Sequence, residues 1–308
     1  MKCWRFDVTH EIPTSAYDHL NAEASAQLSK SKQERITYIR SSRWIGYPKA
    51  KDIIGKMEDL LTYPPKHRMP CMLIVGDSNS GKTMIAERFI NMHPAYERED
   101  GEGIVIPALF IQSPPTPSES RLYSNILSKM FAPFRPSDSI DKKHHQVKTI
   151  MAACNVKMLI IDEIHSLLAG PLDKQRVFLS VIRNLSNELK IPIVGLGTKD
   201  ALRAVKTDPQ LDNRFKPSLL PRWEMDTDFR RLLASFERML PLAEPSDLKS
   251  KAIAQKIHFM SEGLLGEVSD ILTQAAIWAI SHGAEHIDIN VLDKIEYESL
   301  KERKKGQR

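Results

Sequence analysis

The segment GDSNSGKT, Gly76 to Thr83, matches the spacing G-x-x-x-x-G-K-[ST]. It follows an apolar run, CMLIV, and opens a helical pattern, MIAERFINM, which is the setting a phosphate-cradling loop requires. Gly76 and Gly81 let the backbone curl so that N–H groups across Asp77, Ser78, Asn79 and Ser80 face a β-phosphate, and the helix that follows adds its dipole. Lys82 is placed to reach β- and γ-phosphates, and the Thr83 hydroxyl to bind Mg²⁺. Further on, MLIIDEIH (Met158–His165) sets four apolar residues before two carboxylates. Asp162 at a strand end suits Mg²⁺ held through water. Glu163 suits the polarisation of a water for in-line attack on a γ-phosphate. The expected ligands are therefore ATP and Mg²⁺.

Three further positions have weaker signals. Thr198 ends the run IPIVGLGT and is read either as a group that orients the attacking water or as an N-cap for KDALRAV. Arg214, in LDNRF, is read as a transition-state charge donor or as a surface arginine, with Arg203 and Arg222 as rivals. In RWIGYPKA, Trp44, Ile45 and Tyr47 could line an adenine pocket or serve as a packed N-terminal staple.

These residues need a scaffold that holds strand ends beside helix starts. Four short apolar runs (Met72–Val75, Ile104–Ile111, Met158–Ile161 and Ile191–Val194) alternate with amphipathic stretches. Fully apolar strands separated by helix-length segments predict a parallel sheet covered on both faces. Phe178, Val181, Ile182, Leu185 and Leu189 mark the helix between the third and fourth runs. After Pro221 the strands stop. Helical stripes follow at Leu232, Leu233, Phe236, Met239 and Leu240, then from Leu264 to Ala279, with a third helix starting near Asp288. The expected domains are an extension at 1–42, an α/β nucleotide-binding domain at 43–224, a helical domain at 225–300 and a basic tail at 301–308.

The chain has 308 residues, 42% hydrophobic and 27% charged, an ordinary globular composition. No apolar run approaches the roughly 18 residues of a membrane span, and MKCWRFDVTHEIP has no apolar signal core. Cys3, Cys71 and Cys154 have no paired metal spacing, which fits a reducing cytoplasm. The net charge of +5 permits a nucleic-acid partner without requiring one.

Taken together, the motifs resemble the AAA+ class of P-loop ATPases. That resemblance implies a five-stranded parallel sheet in the order 5-1-4-3-2 and a helical lid. RWIGYPKA, KHRMPCMLIVGDSNSGKTMIAERF, LIIDEIH, IPIVGLGT and DPQLDNRFKPSLLPRW look more particularly like the TniB/TnsC family of transposition ATPases. What this resemblance implies is ATP-dependent assembly on double-stranded DNA as a ring or helical filament, a transposase partner, and a target-selection protein of the TniQ kind. Whether a CRISPR effector chooses the target stays open. It implies a bacterial, cytoplasmic, DNA-associated protein with no membrane partner. By the same carry-over Thr198 is the first sensor and Arg214 a finger acting on the neighbouring subunit. Many AAA+ lids carry a sensing arginine in G-x-x-R; here GLLGEVSD puts Gly266 and Glu267 in its place, which implies slow turnover and a switch rather than a motor. Candidate DNA contacts are Thr116, Ser118, Ser120 and Arg121 after the second strand, and Lys142 and Lys143 in DKKHH. Each of these also fits a solvated charged surface, the commoner role for any one such residue. A helicase loader or origin-recognition ATPase is the competing reading, though the stretch after the last helical stripe is too short for a winged-helix domain.

Overall fold

The computed structural model describes residues 17–168, 171–298 and 303, so most of the expected basic tail and the start of the extension lie outside the described residues. Two compact units divide the chain: Gly46–Trp223 with Leu264–Gly266, and the described residues up to Ile45 with Glu224–Gly263 and those from Glu267 onward.

The first unit is the α/β layer. Helix α3 (Pro48–Leu61) precedes β1 (Cys71–Gly76), and α4 (Lys82–Met92) follows it; α1 and α2 belong to the other unit. A small hairpin, β2 (Tyr96–Glu97) and β3 (Ile104–Val105), leads to β4 (Ala108–Gln112), α5 (Glu119–Lys129) and α6 (Ile140–Ala153). Then come β5 (Met158–Asp162), a 3₁₀ turn (Ile164–Leu168), α7 (Leu172–Leu189), β6 (Ile193–Gly197), α8 (Lys199–Thr207), α9 (Pro209–Asp212) and β7 (Phe215–Leu220). The large sheet is parallel, with order β4-β5-β6-β1-β7. Counted by its own five strands this is 2-3-4-1-5, the expected order read from the other edge.

Two details differ from the sequence reading. The apolar run Ile104–Ile111 is not one strand. Pro107 has no amide to donate to a ladder, so Ile104 and Val105 pair with Glu97 and Tyr96, while Ala108 onward joins β5. The fifth strand was not marked by any apolar run. β7 is an edge strand with alternating burial, and it tolerates Pro217 because it pairs with β1 alone.

Strands β1, β5 and β6 are buried along their whole length, as a sheet covered on both faces demands. One face is covered by α7, which buries Phe178, Leu179, Val181, Ile182 and Leu185 in the same core cluster as Leu73, Leu159, Ile161 and Ile193.

The second unit is helical: α1 (Ala22–Gln27), α2 (Lys32–Arg40), α10 (Thr227–Glu237), α11 (Lys251–Ser261), α12 (Leu265–His282) and α13 (Ile289–Lys294). Met239 and Leu240, expected to continue the α10 stripe, lie beyond its end. The described part of the N-terminal segment is built into this unit. The Asn21 N–H donates to the Arg238 carbonyl, and the Arg35 guanidinium donates to the Pro241 carbonyl and pairs with Glu285.

Candidate nucleotide site at the strand ends

The register of the sheet assembles the site. Val75 lies opposite Gly197 and Gln112 opposite Asp162, so the phosphate loop, Asp162 and Thr198 all leave the sheet at its carboxyl end. Ligands of open α/β sheets bind in the crevice outside these strand ends. Gly81 sits at φ +93°, a conformation open to glycine at no steric cost, and starts α4 there. Lys82 is buried, and its Nζ donates to the Gly76 and Asp77 carbonyls at 3.0 and 2.8 Å. Burial pulls its ammonium below the usual lysine range, against the pull of Glu163, Asp162 and Asp77 in the other direction. The Ser80 hydroxyl is buried without a hydrogen-bond partner. The loop thus holds a compact cation inside curled backbone, the arrangement that accepts a polyphosphate.

Thr83 donates its hydroxyl proton to Asp162 Oδ2 at 2.7 Å, so the two groups expected to share Mg²⁺ are in contact. A hydroxyl and a carboxylate are hard oxygen donors that suit this ion. Glu163 takes φ +54°, in the left-handed region that few non-glycine residues occupy, and its N–H donates to Asp162 Oδ1 at 2.7 Å. That turn aims the two neighbouring carboxylates differently. Glu163 Oε2 lies 3.0 Å from His165 Nε2, while His165 Nδ1 is buried without a partner. No spacing argument singled out His165.

Thr198 stands at the N-cap position of α8, yet its side chain makes no capping hydrogen bond. Tyr47 is buried, its hydroxyl lacks a partner, and its ring meets Trp223 edge-on with centroids 5.1 Å apart. Desolvation pushes the Tyr47 phenol up to about 12. A Cβ on Gly81 would lie 3.9 Å from this hydroxyl, which puts Tyr47 beside the loop. Trp223 was not singled out beside Tyr47 in the sequence because the two are remote along the chain. Trp44 and Ile45 are half-buried and group with the helical unit.

Arg222 Nε donates to Asp77 Oδ2 at 2.7 Å and holds that carboxyl below its usual range. Arg203 is exposed and paired with Asp200. Arg214 is half-buried just before β7, at the amino end of the sheet, where Nη1 donates to Asn187 Oδ1 at 2.7 Å. Gly266, where a sensing arginine was expected, donates its N–H to the Asn79 carbonyl at 2.9 Å; a Cβ there would fall 1.8 Å from Asn79 Oδ1, so any side chain at this position would have to displace the Asn79 amide.

Among the candidate DNA contacts, Thr116, Arg121 and Lys142 are exposed, the last paired with Asp138 at 2.6 Å. Ser118 caps α5. Lys143 is not a surface contact. It is 2% exposed, and its Nζ donates to Ser120 Oγ and the Pro136 carbonyl, so it cannot reach a phosphate from there. The sequence reading failed because DKKHH looks uniformly polar, while α6 turns its second lysine inward. The described residues contain no group of His, Cys, Asp or Glu able to form a separate metal centre, and no helix long and apolar enough to cross a membrane.

This five-stranded sheet, with its phosphate loop after β1 and acidic pair after β5, defines the AAA+ class of P-loop ATPase folds. Solved structures with the same fold include the ORC2 protein of Aeropyrum pernix in ADPNP–ADP complexes, 15% identical over 83% of this chain and 70% of that one, with a TM-score of 0.59. Cdc6p of Pyrobaculum aerophilum is 18% identical over 82% and 67% of the two chains, with a TM-score of 0.58. The ORC1 protein of Aeropyrum pernix in complex with DNA is 15% identical over 86% and 69%, with a TM-score of 0.55. No curated protein matches by sequence. The profile of the family described as "Bacterial TniB protein" matches residues 35–225, and the chain belongs to the TniB family.

Proposed function

We propose that this protein is an ATP-hydrolysing regulator of DNA transposition that assembles on duplex DNA in its triphosphate state and links a target-selection protein to a transposase. The observation that carries the reading is the meeting of buried Lys82, Thr83, Asp162 and Glu163 at the carboxyl ends of β1 and β5, in a chain of the TniB family.

In this reading Lys82 gives up its two carbonyl partners to the β- and γ-phosphates. Thr83 and Asp162 would hold Mg²⁺, which would supply charge neutralisation for the phosphates. Glu163 accepts a proton from the attacking water, and Thr198 orients that water, its hydroxyl having no capping duty. Tyr47 and Trp223 supply an aromatic wall for the base. Arg214 leaves Asn187 to reach a neighbouring subunit's γ-phosphate; Arg222 is already committed to its own loop's Asp77. Thr116, Arg121 and Lys142 are the remaining candidates for backbone contacts to DNA. The ORC and Cdc6 structures bear on the fold and not on the client, because their identity to this chain is so low.

Sedimentation of the purified protein with duplex DNA tests the reading. Large assemblies are expected with ATP and not with ADP, and hydrolysis should accompany them. Absence of nucleotide binding, or assembly indifferent to the nucleotide, would overturn it.

A further inference from the structure

At the amino end of the sheet, opposite the phosphate loop, lies a concavity of about 380 Å³ lined by Tyr63, Lys66, Arg68, Asn213, Arg214 and Lys216, with Met69 and Pro70. Among the described residues its wall has four cations and no carboxylate. Arg68 and Lys216 are exposed and make no ion pair among the described residues. Among the described residues the Lys66 ammonium donates only to the neutral Tyr63 hydroxyl, and the Arg214 guanidinium only to the neutral Asn187 amide. The carboxylate that acts on Arg214, Asp208, lies 3.8 Å from another arginine, Arg183. Like charges gathered in a recess without a counter-charge repel one another, and an anion relieves that repulsion.

The sheet itself determines where such an anion can come from. Cys71 pairs with Phe215 at the bottom of β1, whereas the phosphate loop begins at Gly76 at its top. At about 3.3 Å per residue the two ends lie roughly 16 Å apart with the buried sheet between them. A nucleotide on this chain's own loop therefore cannot enter the recess. The recess also has the scale of a small-molecule pocket rather than of a track for a duplex backbone.

We infer that Lys66, Arg68, Arg214 and Lys216 form one pocket for the terminal phosphates of a nucleotide carried on the phosphate loop of a second copy of this chain. The inference rests on the proposed ATP-dependent assembly and extends it: three cations beside Arg214 share the work of recognising the triphosphate.

The test is the double variant Arg68→Gln/Lys216→Gln of the full chain, which leaves Arg214 in place. Three readouts are compared with wild type: fluorescent ATP-analogue binding at subunit concentrations below assembly, the concentration midpoint of ATP-dependent self-association by sedimentation, and nucleotide-free binding to duplex DNA. The expected result is a rise of about tenfold in the self-association midpoint, with the other two within twofold of wild type. A midpoint equal to wild type would overturn the inference. So would a loss confined to DNA binding, which makes the recess a duplex contact, or a loss of analogue binding by dilute subunits, which places its effect on its own loop. If wild type itself does not assemble with ATP, the proposed function fails first and this inference with it. If wild type assembles and the variant does so equally, this inference fails alone.

Discussion

Lys82 is held in a charged form that its own burial disfavours, and the compensation comes from two backbone carbonyls and three nearby carboxylates. A polyphosphate offers a better partner than either carbonyl. Charge-assisted hydrogen bonds contribute about 1.5–3 kcal/mol each, so Lys82→Ala should weaken ATP binding by about 10–100-fold, read by titration calorimetry. Wild-type affinity in that variant would remove Lys82 from the site. Glu163 makes a different contribution. Its strained backbone separates it from Asp162, so Glu163→Gln should leave the Thr83–Asp162 contact and ATP binding in place while hydrolysis falls by about 10²–10⁴-fold. A phosphate-release assay reading a normal rate would show that another group takes the proton.

Among the elements, α2 depends on one residue that no periodicity marks. Arg35 is buried, spans from α2 to the Pro241 carbonyl and pairs with Glu285, whose carboxylate also accepts from the Ala243 N–H. Removing one partner of a buried pair costs about 3–5 kcal/mol, so Arg35→Ala should lower the unfolding free energy of the helical unit by about that much, read as a shift of the denaturant midpoint at unchanged slope. Burial works to raise the Glu285 carboxyl, but Arg35 and the Ala243 N–H outweigh it and hold the group below the ordinary glutamate range. A depressed carboxyl contributes stability that is complete above its unfolded value, about 4.3, and is lost as pH falls through the folded value. Denaturation profiles from pH 6 downward should therefore show a loss in wild type that is shallower in Arg35→Ala.

At the scale of the assembled protein, the proposal that the active site is shared between copies has a direct consequence. Glu163→Gln subunits keep Arg214 but lose the base; Arg214→Ala subunits keep the base but lose the finger. Each alone should hydrolyse ATP at a few per cent of wild type or less. Mixed on duplex DNA, some junctions unite an intact Glu163 with an intact Arg214, and activity should reappear. A mixture that co-assembles and stays inactive would exclude Arg214 and turn attention to the exposed Arg203. DNA affinity should also fall steeply as salt rises, because the contacts proposed are to backbone phosphates.

The sequence by itself determined what local pattern can encode. An apolar run with a glycine-bounded loop carrying lysine and threonine, and an acidic pair closing a second run, are each read within a few residues, and the candidate site at Lys82, Thr83, Asp162 and Glu163 was legible for that reason. The helices with a clear stripe, such as Leu172–Leu189, were equally legible. Tertiary structure decided everything that depends on partners distant in sequence. Edge position let Phe215–Leu220 be a strand without an apolar run, and the missing amide of Pro107 broke a run that looked continuous. Packing against Ser120 and Pro136 took Lys143 off the surface, and folding set the Tyr47 and Trp223 rings edge to face although the two residues share no motif. The recess of Lys66, Arg68, Arg214 and Lys216 belongs to the same class, because its charges come together only when β7 docks beside β1. Spacing along the chain records a helix face or a strand end, but electrostatics and burial depend on distances through space, which only the folded chain sets.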